Sequence, residues 1–194
     1  MSLKVYRGRT LARSQALQLL FQAEQLDRQL DEVLEGDYLI SKGPLDPYAV
    51  ELCRGAYDNI DRIDAALRAV SRNWTLERMP GADRNLLRIA VYEMRFLTDD
   101  EIDDAVVINE AVEIAKAYGT EDSSTFVNGV LGRIARSQKL PGEEEYQQIL
   151  EEDKKHEEAV AAELAAAAEA LKTSQDEDAV DESSEADGAE GSEE

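Results

Sequence analysis

Apolar residues recur along this chain at spacings of three and four, and no stretch alternates convincingly at two, which predicts helices and no sheet. Leu17, Leu20, Phe21 and Leu26 mark a first helix from about Thr10, and a shorter one is expected over about 31–40. A loop follows at Ser41-Lys42-Gly43-Pro44. Asp46-Pro47 then sets a capping side chain before a proline at the first helical position, a strong start signal. Val50, Cys53, Tyr57 and Ile60, continued by Ile63, Leu67 and Val70, predict one long helix or two in succession. Met79-Pro80-Gly81 breaks the chain again, and Leu86, Leu87, Ala90, Val91 and Met94 mark a helix from Asp83 to about Leu97.

The next pair is the most specific part of the chain. Asp103 or Asp104 can cap a helix whose apolar side runs Val107, Ala111, Ile114, Ala115 and Tyr118. Gly119 stands where a helix-ending residue is expected to turn left-handed. Thr120-Glu121-Asp122-Ser123 supplies new capping chemistry and negative charge for a helix carrying Phe126, Val127, Val130, Leu131 and Ile134. Gly129 and Gly132 inside it each cost about 1 kcal/mol against alanine. Close approach of another helix or of a ligand would offset that. Asn109 and Asn128 are expected at helix–helix seams or at a ligand. The class is all-α: two small bundles divided by the breaks near 43 and 80 and sharing one core.

Charge changes this picture by dividing the chain. The 194 residues carry a formal net charge of −22, but it is unevenly spread. From Leu140 onward there are 20 acidic and 3 basic residues, a net of −17, leaving 23 acidic and 18 basic residues, a net of −5, before it. Lys4, Arg7, Arg9 and Arg13 occupy an N-terminal arm with no acidic residue. The expected organisation is a helical domain over residues 1–139, an acidic Ala/Glu-rich helix over 140–172, and a disordered acidic tail over 173–194.

The inventory argues against catalysis. The single histidine, His156, lies in the acidic extension, and no P-loop, GxSxG or HExxH pattern occurs. Asp99-Asp100 and Asp103-Asp104 flank a helix and read as caps, not as acid–base pairs. One cysteine, Cys53, excludes a disulfide framework and a cysteine-rich metal site, and its apolar setting reads as a buried inert thiol. No cofactor and no metal are expected. No apolar run approaches a membrane span and the N-terminus has no signal-peptide core, so a soluble cytoplasmic protein is expected. Arg9 and Arg13, four apart, would share a helix face and make a small phosphate-facing arm, or a solvated basic terminus. Phe126 is either core or a stacking platform for a base.

Three blocks go further: Asp83-Arg-Asn-Leu-Leu-Arg-Ile-Ala-Val-Tyr-Glu-Met94, Ile108-Asn-Glu-Ala-Val-Glu-Ile-Ala-Lys116 and Phe126-Val-Asn-Gly-Val-Leu131. With Ala12-Arg-Ser-Gln-Ala-Leu-Gln18 and Trp74, they resemble the NusB family of bacterial transcription antitermination factors over about residues 7–139. The resemblance implies two three-helix bundles joined by a linking helix. It implies pairing with NusE, a ribosomal protein, to bind boxA RNA of ribosomal RNA leader transcripts, and entry with other Nus factors into an RNA polymerase antitermination complex. Matched by position, it gives Arg9, Arg13 and Gln18 on the first helix, and Asp122 and Phe126 at the later helix start, as RNA contacts. Asp83 is the matched candidate for the partner face. Here the family's arginine run is thinned to Arg9-Thr10-Leu11-Ala12-Arg13, which implies greater dependence on the partner. Two other readings compete: the RNA-recognition domain of an rRNA cytosine methyltransferase, which needs a catalytic domain that residues 140–194 cannot supply, and a homodimer pairing through surfaces that overlap the RNA face.

Overall fold

The computed structural model describes residues 7–71, 75–97 and 102–137, with helical residues 147–149, 151–152, 154–155 and 158–167. Lys4, Trp74, Asp99-Asp100, His156 and the chain from Thr173 lie outside the described residues. The chain divides into two units, Met1–Ile149 and Leu150–Glu194. In the second, the described residues are helical and exposed, Val160 and Leu164 among them, with Lys155 4.0 Å from Glu151 one turn away.

The first unit contains α1 (Gly8–Leu26), α2 (Leu30–Glu35), α3 (Pro47–Asp58), α4 (Ile60–Val70), α5 (Gly81–Arg95), α6 (Asp104–Tyr118) and α7 (Ser123–Ser137), with a 3-10 turn at Leu76–Arg78. Among the described residues there is no strand. Helices α1, α2 and α3 form one group, and α4, α6 and α7 the other. Helix α5 touches α1 and α3 as well as α4, α6 and α7, so it links the groups and one core runs through both. The predicted apolar positions fill that core: Leu17 and Leu20 from α1, Leu86 and Leu87 from α5, Ile114 from α6, Leu131 and Ile134 from α7. Phe21 and Leu26, at the same spacing, are instead 37% and 56% exposed.

Two predicted caps form as expected. The Asp46 carboxylate accepts from the Tyr48 N–H at 2.8 Å with Pro47 following, and the Asp103 carboxylate accepts from the Ala105 N–H at 2.9 Å. The residues after Asp46 form two helices, α3 and α4. Between them Asn59 leaves the helical region at φ −110° and ψ 18°, and its side chain donates to the Gly55 carbonyl at 2.9 Å.

Three expectations are corrected. Helix α2 stops at Glu35, well short of residue 40, because the following segment is taken up by glutamines of α1. Gln22 exchanges two hydrogen bonds with the Leu39 backbone (2.7 and 2.8 Å), and the Ser41 N–H donates to Gln18 at 2.6 Å. Buried Gln15 donates to the carbonyls of Lys42 and Pro44 and accepts from the Asp46 N–H. Backbone groups left without a ladder must be satisfied somewhere, and side-chain amides do it here. Second, Gly119 is not left-handed but extended, at φ −93° and ψ −169°; the left-handed helix end is Asp27, at φ 50° after α1. Third, no helix closes on Gly129 or Gly132. A methyl group there would meet only Arg133 at 4.0 Å and Arg136 at 3.6 Å, and Asn109 and Asn128 are exposed instead of lying in seams.

A glycine that does admit a close neighbour is Gly55. A Cβ there would lie 1.9 Å from Cζ of Tyr92, whose ring stacks on Phe96 at 5.8 Å between centroids. Overpacking costs about 1–3 kcal/mol and the helix regains about 1 from alanine, so Gly55→Ala is expected to destabilise by roughly 1 kcal/mol net. In a Tyr92→Leu background the same change should become neutral or stabilising, measured by thermal unfolding.

Candidate nucleic-acid interface

Two stretches identified in the sequence, the start of α1 and the corner between α6 and α7, are brought together by one tyrosine. Tyr118 ends α6, and its hydroxyl lies 2.6 Å from the Ser14 hydroxyl and accepts from Gln18 at 3.1 Å. Gln18 also donates to the Ser14 carbonyl at 3.0 Å and to the Ser41 hydroxyl at 3.2 Å. The Gly119 corner therefore begins one residue from a junction of α1, the 39–46 segment and α6. Half-buried Gln18 is bound to protein groups throughout this junction.

Arg9 and Arg13 have different fates although both lie on α1. Arg9 is exposed, with its guanidinium over the Tyr48 ring at 5.2 Å from the centroid. Arg13 is buried at 4% exposure. Its Nε donates to Glu93 at 2.8 Å, its Nη2 donates to the other oxygen of the same carboxylate, and Nη1 is 3.7 Å from Glu110. Burial alone would lower the Arg13 pKa, but the hydrogen bonds and charge of Glu93 outweigh it and leave it raised. Tyr48 donates its hydroxyl to Glu93 at 2.7 Å, and Thr10 donates to Glu110. Burial, then Glu93, pushes the Tyr48 phenol well above its ordinary value. One buried carboxylate on α5 thus fixes an arginine of α1 and a tyrosine of α3.

The corner is built on Ser123. Its hydroxyl accepts from the Thr120 N–H at 2.8 Å and donates to Asp83 of α5 at 2.7 Å. This is the returning half of a capping box, tied to a third helix. Asp122 is exposed beside it, and its carbonyl accepts from the Phe126 N–H at 3.0 Å. Phe126 is half-buried and packed on the core.

Asp83, expected on a partner face, is 3% exposed, and its Oδ1 is buried without a hydrogen-bond partner. Burial raises its pKa, with Ser123 opposing part of the rise. A carboxyl with a raised folded-state pKa binds its proton more tightly folded than unfolded, so its contribution to stability grows as pH falls from neutrality through that value. Asp83→Asn should lack this component. The stability of the natural chain relative to the variant is expected to rise between pH 7 and pH 4 in denaturant titrations.

Sequence reasoning missed Tyr48 and Glu93, and it named Ser123 for capping without its tie to Asp83. The capping-box spacing from Thr120 to Ser123 was the one available signal. A separate cleft of about 500 Å³ lies at the end of α1, lined in part by Glu24, Arg84, Asn85 and Arg88. Two of the cations lining it are already paired: Arg84 with Glu24, and Arg88 with Asp64 at 2.7 Å and Glu24 at 3.2 Å. Cys53 is fully buried, and burial pushes its thiol up to about 12. Among the described residues no helix is long and apolar enough to cross a membrane.

These features define an all-helical double bundle whose polar chemistry is spent on positioning an exposed surface. The NusB family model matches residues 10–136, and the chain belongs to the NusB family. It is 48% identical over 131 residues to the transcription antitermination protein NusB of Salinispora arenicola, covering 66% of this chain and 95% of that one. Among solved structures, NusB of T. maritima matches with a TM-score of 0.58 and 37% identity, over 73% of this chain and 99% of that one. A structure of the antitermination factors NusB and NusE in complex with double-stranded RNA matches with a TM-score of 0.53 and 28% identity, over 65% of this chain and 94% of that one.

Proposed function

We propose that this chain is a non-enzymatic, cytoplasmic antitermination factor that pairs with NusE to bind boxA RNA of ribosomal RNA leader transcripts. With other Nus factors it joins RNA polymerase and keeps transcription processive. The observation that carries this reading is the likeness, over nearly the whole of that chain, to a NusB bound to NusE and RNA. The local geometry supports it: an exposed arginine at the start of α1, an exposed acid and a half-buried aromatic at the start of α7, and Tyr118 at the end of α6 bonded to Ser14 and Gln18 of α1.

In this reading Arg9 contacts phosphate, Phe126 stacks on a base, and Asp122 borders the same corner. Gln18 and Arg13 serve the RNA by holding α1 against its neighbours, since their polar atoms are engaged within the protein. Asp83 serves the partner and RNA faces by anchoring Ser123. Residues 1–139 carry these activities, and the acidic extension is a solubilising appendage.

The test is a gel shift of the full chain with boxA-containing and scrambled RNA, with and without NusE. A boxA preference that strengthens with NusE is expected. Arg9→Ala should weaken it and flatten its dependence on salt by about 0.7 in log–log slope, the contribution of one phosphate contact to a single strand. No preference for boxA even with NusE present would overturn the reading. A homodimer that masks this face would show as binding that falls as protein concentration rises in sedimentation-matched samples.

A further inference from the structure

We infer that Tyr48 is a positioning residue for RNA recognition, a platform on α3 that holds the Arg9 guanidinium ready for phosphate; this rests on the function proposed above. The ring is fixed from both ends. Its backbone N–H is bound by the Asp46 cap at 2.8 Å, and its hydroxyl donates to Glu93 at 2.7 Å. Glu93 in turn cannot move, because it is 4% exposed and gripped at both oxygens by buried Arg13. The Arg9 guanidinium lies over the ring at 5.2 Å, within the range of cation–π attraction.

The arrangement answers a difficulty in the sequence. An arginine side chain loses much rotational freedom when it is immobilised on a ligand, and that loss weakens binding unless the free protein has already restricted it. A chain with a thinned arginine run gains from each cation it keeps in place. A ring face restrains the guanidinium through the attraction of its quadrupole for the charge, and leaves that charge in place. Arg13, meanwhile, acts below the surface: its pairing with Glu93 is what anchors the Tyr48 hydroxyl.

A double-mutant cycle on the full chain with NusE and boxA RNA tests this. Tyr48→Leu is expected to weaken binding roughly threefold at every salt concentration, the size of an exposed cation–π contact, with the salt slope unchanged because Arg9 keeps its charge. In an Arg9→Ala background the same substitution should have no further effect. Tyr48→Phe retains the ring and its packing but releases it from Glu93, so it should give a smaller loss that also vanishes without Arg9, and it covers the case in which the leucine variant folds poorly. Equal losses with and without Arg9, or no loss in either, overturn the platform while leaving the antitermination reading intact. Failure of the unmutated chain to prefer boxA RNA overturns both.

Discussion

Arg13→Ala is expected to lower folding stability by about 3–5 kcal/mol, because it leaves the Glu93 carboxylate buried with no cation. Glu93 would keep only the Tyr48 hydroxyl, at 2.7 Å, as a donor. The pair joins α1 to α5, and Glu110 extends it to α6 at 3.7 Å, so the loss falls where the two bundles share their core. Arg13→Met combined with Glu93→Leu should recover much of the loss, since replacing a whole buried ion pair with apolar groups of similar size is often close to neutral. Urea unfolding of the single and double variants checks this. A single variant as stable as the natural chain would mean that Glu93 finds another partner or takes up a proton. A drop in RNA binding by Arg13→Ala would therefore report folding, whereas Arg9→Ala, at an exposed position, reports contact.

The difference between those two arginines shows where sequence reading succeeds and stops. Helical periodicity identified most of the buried stripes of α1, α5, α6 and α7 because burial on a helix follows the spacing of its apolar residues, with Phe21 and Leu26 as exceptions, and Asp46 and Asp103 were legible as caps because capping is local. Arg13 was not legible as buried because its counter-ion stands 80 positions away, and no local rule relates the two. The same holds for Asp83 and Ser123, 40 positions apart. Gln18 was expected at RNA and Gln15 and Gln22 carried no expectation, yet together they bind the backbone of the 39–46 segment, and this is why α2 ends early. Asn128, Gly129 and Gly132 were expected at a helix–helix seam or at a ligand; their surroundings leave the helix cost of the two glycines unexplained by packing within the chain.

Gly119→Ala is expected to be the most damaging change at the corner, at about 2–3 kcal/mol from overpacking and the weakening of buried hydrogen bonds. The reason is contact, not conformation. At φ −93° and ψ −169° an alanine backbone is unstrained, but its Cβ would lie 2.4 Å from both Cβ and Oγ of Ser123 and 2.8 Å from the Ala115 carbonyl oxygen. Ser123 has nowhere to retreat, because it is 1% exposed and tied to Asp83 at 2.7 Å and to the Thr120 N–H at 2.8 Å. Relief must come from opening the turn, which moves Asp122 and Phe126 away from the end of α6. Stability and boxA binding should therefore fall together. Adding Ser123→Gly removes the two clashing atoms, so it should restore part of the packing without restoring the tie to Asp83. Gly119→Ala unfolding at the same denaturant concentration as the natural chain would show that the corner has slack and that Ser123 does not fix it.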